Sequence, residues 1–222
     1  MRYLPCKELM EVLIPAYPKC CNFNTSCSEM RYDPKNGYVP RGFCGALGSL
    51  AEISLVLVIP EPGNPGNGEQ PYNMSMTPQE LVEDSARGVF EAVRANTGRR
   101  NFHGSIAAIL NACWPGSTLE QQFTRTWMTE AVLCSAPEST GPIPRIVEKA
   151  CAERYPCRQL AILPNRFVVA LGGKTQRRMG MMSLPASFMA SAPGKPECLK
   201  ERALHSWSEL GMAFRKHLRK NG

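Results

Sequence analysis

The run ISLVLVI, Ile53 to Ile59, is followed at once by PEPGNPGNGEQPYN, Pro60 to Asn73. A short, unbroken apolar run rich in β-branched residues reads as a strand buried on both faces, since a half-exposed strand would alternate apolar and polar residues. Gly and Pro then stop the strand and build a loop at its carboxyl end. Two more runs share this character: WMTEAVLC, Trp127 to Cys134, and RFVVAL, Arg166 to Leu171, the latter closed by Gly172-Gly173. A weaker strand signal lies near Phe188.

Helix signals fill the intervals. Thr77-Pro78-Gln79-Glu80 combines a capping box with Pro at the first helical position, and Leu81, Val82, Val89, Phe90 and Val93 follow at helical spacing. GSIAAILNAC and STLEQQF predict shorter helices, and Ile143 to Leu163 a helical stretch with a break at Pro156. The last helix places Trp207, Leu210, Phe214 and Leu218 on one stripe. Strands separated by helices predict right-handed βαβ units. The expected fold is α/β: one domain over residues 1–222, a three-layer α/β/α sandwich around a central, mainly parallel four-stranded sheet. Residues 15–50, rich in Pro, Gly, Asn and Cys, predict an irregular segment packed on that domain. Ligands of such sheets bind at the carboxyl ends of the strands. The loops after Ile59, Leu133 and Leu171 and near Phe188 are therefore expected to meet at one site.

The 222 residues are 43% hydrophobic, enough for one packed core. No run approaches the 18 or so apolar residues that a membrane span needs. The N-terminus, MRYLPCKELMEVLIPAYPKCC, lacks the pattern of a secretory signal, so the expectation is a cytoplasmic, reducing compartment. There ten cysteines read as thiols or metal ligands, not as a disulfide framework. From Gly172 onward ten Lys/Arg stand against three Asp/Glu, and the first 171 residues are balanced, so the whole excess of +7 lies in the last quarter. That is either a cationic face for phosphates or a solvated basic helix. Lys174, Arg177 and Lys195 are the candidate phosphate contacts, the first two because Gly172-Gly173-Lys174-Thr175 opens a helix after a strand.

The loop after Ile59 is neither a Walker loop nor a dinucleotide fingerprint. It carries two carboxylates, Glu61 and Glu69, and the aromatic Tyr72. Cys20, Cys21 and Cys27 cluster near the N-terminus, with Cys134 and Cys151 far along the chain. The spacing fits no zinc ribbon, whereas an iron–sulfur cluster draws four thiolates from distant segments.

Taken in order, these motifs resemble the uracil-DNA glycosylase superfamily, most closely its iron–sulfur branch, family 4. The branch has Gly-Glu-x-Pro-Gly after its first strand and Gly-x-Pro-Phe beyond; here stand Pro60-Glu61-Pro62-Gly63 and Gln70-Pro71-Tyr72. Its Thr-Asn-x-Val-x-Cys, with a second Cys about 16 residues on, is matched by Thr129-Glu130-Ala131-Val132-Leu133-Cys134 and Cys151. Its VVALG is present as Val168 to Gly172.

The resemblance implies a DNA-repair hydrolase that flips uracil out of DNA and cleaves its N-glycosidic bond, a monomer acting on uracil-containing DNA with no membrane partner. A non-catalytic DNA- or uracil-binding protein on the same fold is the alternative. Glu61 is the implied catalytic carboxylate and Tyr72 the base-stacking ring. A structural [4Fe–4S] cluster is implied on Cys21, Cys27, Cys134 and Cys151, with Cys20 a near-equal choice for the first ligand and Cys157 for the last. Two positions depart from the family. Glu130 replaces the Asn that reads the uracil edge. Ionised, it accepts from N3–H but cannot donate to O4; protonated, it does both; as a carboxylate it also suits the amino group of cytosine. A salt bridge to an Arg is the plain reading. The family's His-Pro-Ser/Ala motif has no His here, since the stretch runs FMASAPGKPECLKERALHSW. Ser191, backbone N–H groups of that loop, or His103 from elsewhere are the candidate donors.

Overall fold

The computed structural model describes residues 3–17, 19–65, 72, 75–138, 141–163 and 166–221. In chain order the elements are α1 (Lys7–Leu13), β1 (Cys44–Gly45), β2 (Leu55–Ile59), α2 (Pro78–Asn96), α3 (Phe102–Cys113), α4 (Leu119–Thr124), β3 (Thr126–Glu130), α5 (Arg145–Arg154), α6 (Pro156–Ala161), β4 (Phe167–Leu171), α7 (Gly173–Met181), β5 (Phe188–Ala190) and α8 (Glu201–Asn221). Short 3-10 turns account for the remaining regular pieces of the N-terminal segment.

The sheet has the order β1-β3-β2-β4-β5, with β2 at its centre. The β2–β3, β2–β4 and β4–β5 pairs are parallel, and β1 adds an antiparallel edge against β3. Four strands are thus the expected ones. The fifth, β1, is two residues long and sits inside the segment read as irregular, too short to show a period of two.

Both faces of the central strands are covered. Val56, Val58, Val168 and Ala170 pack into a core with the N-terminal segment, the first half of α2 and α5, while Leu55, Leu57, Ile59, Phe167, Val169 and Leu171 pack toward α3 and α8. Burial on both sides is why these strands are apolar at every position. The strand order reverses about β2, with β3 on one flank and β4 on the other, the topology that opens a crevice at the carboxyl ends.

The helix boundaries follow local chemistry. Thr77 Oγ1 accepts from the Glu80 N–H at 3.2 Å, and Glu80 Oε2 accepts from the Thr77 N–H at 2.6 Å, closing the capping box of α2. Asn101 caps α3 by accepting from the Gly104 N–H at 2.9 Å. Tyr155 alone separates α5 from α6, and Pro156 opens α6 at its first position, so the break falls where the proline implied. On α8, Trp207, Leu210 and Phe214 are buried and Leu218 half-buried. No helix of the described residues is long and apolar enough to cross a membrane.

One strand is shorter than its apolar run. WMTEAVLC leaves the sheet after Glu130, and Ala131 to Cys134 form a bend that is still buried. Glu130 therefore ends β3, and Cys134 lies four residues beyond the strand, not at its tip. Apolarity here marks burial, which the bend shares with the strand.

Candidate functional site

Glu61 follows β2 by two residues, and its side chain is only 7% exposed. Lys174 donates to Oε1 and Arg178 to Oε2, so each oxygen meets a cation from α7. Arg178 is fully buried. Its Nη1 also donates to the Pro60 carbonyl at 2.6 Å, and its Nε to Glu148 Oε1 of α5 at 2.7 Å. Arg177 closes the chain of charges with a forked pair onto Glu148, at 2.7 Å and 3.1 Å. Burial alone would raise the Glu148 pKa, but the bonds from Arg177 and Arg178 outweigh it and hold it below its ordinary value.

The sequence places this network for a simple reason. Helix α7 begins directly after β4, and Lys174 and Arg178 stand four residues apart, on one helix face. The parallel pairing of β4 with β2 then brings that face against the loop carrying Glu61. Two of the expected phosphate contacts, Lys174 and Arg177, are thereby engaged with carboxylates of the fold. Lys195 is exposed, in the loop after β5.

Glu130 sits across β2 from this network, in register with Ile59. It is 2% exposed, and Oε2 has no hydrogen-bond partner among the described residues. Desolvation raises its pKa well above the ordinary carboxyl value, and the charge of Glu61 adds to this against the opposing fields of Arg41 and Arg178. Gly42 makes room for the carboxyl. The β1–β3 register, continued by two residues, sets Gly42 opposite Glu130, and a Cβ on Gly42 would overlap Oε1. Its φ of +89° is a second reason for glycine.

Arg41 is buried beside it. It donates to the Gly37 carbonyl at 3.2 Å and to the Gly63 carbonyl, which also accepts from Ser135 Oγ at 3.0 Å. The loop after β2 is thus tied to both the N-terminal segment and the bend after β3. Tyr72 is half-buried against the core; its N–H donates to the Pro34 carbonyl at 3.0 Å, and its hydroxyl lies 3.3 Å from Ser85 Oγ. Glu69, Gln70 and Pro71 lie outside the described residues.

The other candidates lie elsewhere. Ser191 lines an open depression with Gly172, Gly173 and Gln176; its N–H donates to Ser206 Oγ and its carbonyl accepts from Trp207 Nε1, both at 3.0 Å. His103 stands in the first turn of α3 with its ring edge-on to Phe102, centroids 5.1 Å apart.

The cysteines form a second centre. Cys20, Cys27, Cys134 and Cys151 line one apolar cavity with Val132, Leu133 and Tyr155. Cys21, the expected ligand, is exposed, with its thiol directed at the Asn22 side chain at 3.8 Å. Its neighbour Cys20 takes the inward position, since a 3-10 turn starting at Cys21 rotates the two in opposite directions. Cys157 is half-buried on α6 and does not line the cavity. Among the described residues no three His, Cys, Asp or Glu side chains converge on a point suited to a single metal ion. The four thiols line one small cavity instead.

Burial pushes the thiols up, Cys27 to about 11, Cys151 to about 12 and Cys134 well above its ordinary value. A metal would take them as thiolates by displacing their protons. Two donors already face the sulfurs: the Tyr155 hydroxyl at 3.1 Å from Cys20 Sγ, and the Leu133 N–H at 3.5 Å from Cys151 Sγ.

Arg41, Glu148 and Arg178 were not foreseen. A charged residue reads as a solvated one until its partner is known. The four-residue step from Lys174 to Arg178 was the available signal for the last of them. No protein-family model matches this chain, and no curated protein matches its sequence.

Proposed function

We propose that this chain is a monofunctional uracil-DNA glycosylase, which holds a flipped-out uracil and hydrolyses its N-glycosidic bond to leave an abasic site. The observation that carries the reading is Glu61: a carboxylate at the carboxyl end of the central strand, gripped on both oxygens by Lys174 and Arg178. Breaking the bond between C1′ and the base nitrogen develops positive charge on the sugar and negative charge on the departing base. A fixed carboxylate beside C1′ offsets the first and orients the attacking water. Gripping it from behind prevents it from turning away, so its stabilisation costs no reorganisation during the reaction.

Glu130, which ends the neighbouring strand, is the residue this reading assigns to the edge of the base. Tyr72 supplies a ring for stacking. Ala190 or Ala192 stands where the resemblance puts a His, so the Ser191 hydroxyl or N–H groups of that loop would serve as neutral donors to the base oxygen. Extruding the base costs a few kcal/mol, least in mismatched or single-stranded DNA. Lys195 and the exposed cations of α8 hold the phosphates.

A [4Fe–4S] cluster on Cys20, Cys27, Cys134 and Cys151 would join the irregular N-terminal segment to the bend after β3 and to α5. When bound, it supplies a cross-link and no redox step. The protein acts as a cytoplasmic monomer.

The test is incubation with a labelled uracil-containing oligonucleotide followed by alkali. Strand scission by the wild type and its loss, by about 100-fold or more, in Glu61→Gln is the expected result. Tight DNA binding without scission would overturn the reading in favour of a binding protein.

A further inference from the structure

Two carboxyl groups end adjacent strands, and the fold surrounds them in opposite ways. Glu61 has a cation on each oxygen. Glu130 has no ion pair among the described residues: its neighbours are the glycine that makes room for it, the Glu61 charge, and the opposing fields of Arg41 and Arg178. Burial places nearly the whole of Glu130 out of water, yet Oε2 has no hydrogen-bond partner among the described residues, nor has Nη2 of the fully buried Arg178. Native folds leave few buried polar atoms unsatisfied, and those they do leave call for a reason. Of the six such atoms among the described residues, these two belong to side chains coupled to Glu61, Arg178 by an ion pair and Glu130 by like charge. A pair of acids whose surroundings drive their protonation apart is the arrangement by which carboxyl groups divide acid and base work.

We propose that Glu130 is the general acid of the glycosylase reaction, a neutral carboxylic acid that gives its proton to the departing uracil. The inference rests on the glycosylase reading of the site. As the bond between C1′ and N1 breaks, its electron pair goes to the base, and the Glu130 proton passes to a carbonyl oxygen of the uracil, which leaves as a neutral tautomer. Water oriented by Glu61 adds to C1′ and releases one proton, which restores Glu130. The balance is one water consumed and one uracil released. Glu130 thereby supplies what the loop after β5, lacking a His, does not. The groups that set its proton are Glu61 from the loop after β2, which favours the neutral acid, and Arg41 and Arg178, from the segment before β1 and from α7, which oppose it.

The test compares uracil with 5-fluorouracil in otherwise identical oligonucleotides, the fluorinated base leaving more readily as an anion. Single-turnover rates are measured across pH for the wild type, Glu130→Gln and Glu130→Asp, with thermal unfolding to confirm that each variant is folded. Expected for the wild type is a rate on uracil that falls at high pH; expected for Glu130→Gln is a rate on uracil lower by about 100-fold or more, a much smaller loss on 5-fluorouracil, and no such fall at high pH. Partial recovery in Glu130→Asp supports proton donation. An equal loss on both bases, or an unchanged pH profile, overturns the general acid and leaves the glycosylase reading intact. A wild type that releases neither base overturns both.

Discussion

Arg178 is the residue on which most of the candidate site depends. It is a buried guanidinium touching Glu61, Glu148 and the Pro60 carbonyl. Removing one partner from a buried ion network leaves charges without compensation, at a cost of about 3–5 kcal/mol. Arg178→Met is therefore expected to lower stability by that amount in urea unfolding. Arg177→Met, half-exposed at its pair with Glu148, should cost far less, about 1 kcal/mol or under. Glu130 behaves in the opposite sense. Its folded-state pKa is raised by burial and by Glu61, so the folded protein keeps a proton that the unfolded chain releases above about pH 4.3. Its contribution to stability is full below that pH and declines as pH rises toward the folded-state value. Glu130→Gln should thus be more stable than the wild type at pH 7, with the gap closing toward pH 4 in parallel unfolding curves. A gap that widens toward acid would show that Glu130 is ionised in the fold.

At the scale of elements, the bend after β3 joins the two centres. Glu130 ends the strand, and Cys134 stands four residues on, against Cys20, Cys27 and Cys151. Helix α5 carries both Glu148, bonded to Arg178, and Cys151, three residues later on the same side. The N-terminal segment is pinned by the Arg31 N–H to the Ser135 carbonyl and the Arg41 N–H to the Leu133 carbonyl, both at 3.2 Å, bonds between loops that no strand or helix provides. If the proposed cluster binds at Cys20, Cys20→Ser is expected to lose iron and visible absorption near about 400 nm, while Cys21→Ser keeps both. Equal loss in the two variants would return Cys21 to the ligand set. The choice between neighbours was not legible in the sequence, because adjacent cysteines differ only in which way the turn points them. The helices of the sandwich were legible: capping boxes and prolines act within four residues, and α2 starts where Thr77 and Pro78 put it.

For the molecule as a whole, the basic last quarter is less free than its count suggests. Lys174, Arg177 and Arg178 are bonded to Glu61 and Glu148, and Lys200 and Arg202 to Glu197. If the protein binds DNA as proposed, phosphate contacts would fall to Lys195 and the outer face of α8. DNA affinity should drop with added salt, and Lys195→Ala should reduce the slope of log affinity against log salt by about 1. An unchanged slope would remove Lys195 from the DNA contact.

The sequence by itself determined the layers of this protein: apolar runs buried on both faces, helices between them, and a loop with Glu61 at the carboxyl end of the central strand. Those features depend on side-chain pattern and on chemistry within a few residues. The tertiary structure alone decided which charges meet. Glu61, Glu148, Arg177 and Arg178 come from three separate segments, and only the pairing of β2 with β4 and the packing of α5 and α7 bring them together. It likewise decided that Cys20 faces inward, that Gly42 lies opposite Glu130, and that Glu130 is buried with Oε2 unbonded among the described residues. Burial and partnership are properties of the packed chain, and they set the protonation on which the chemistry of a carboxyl group rests.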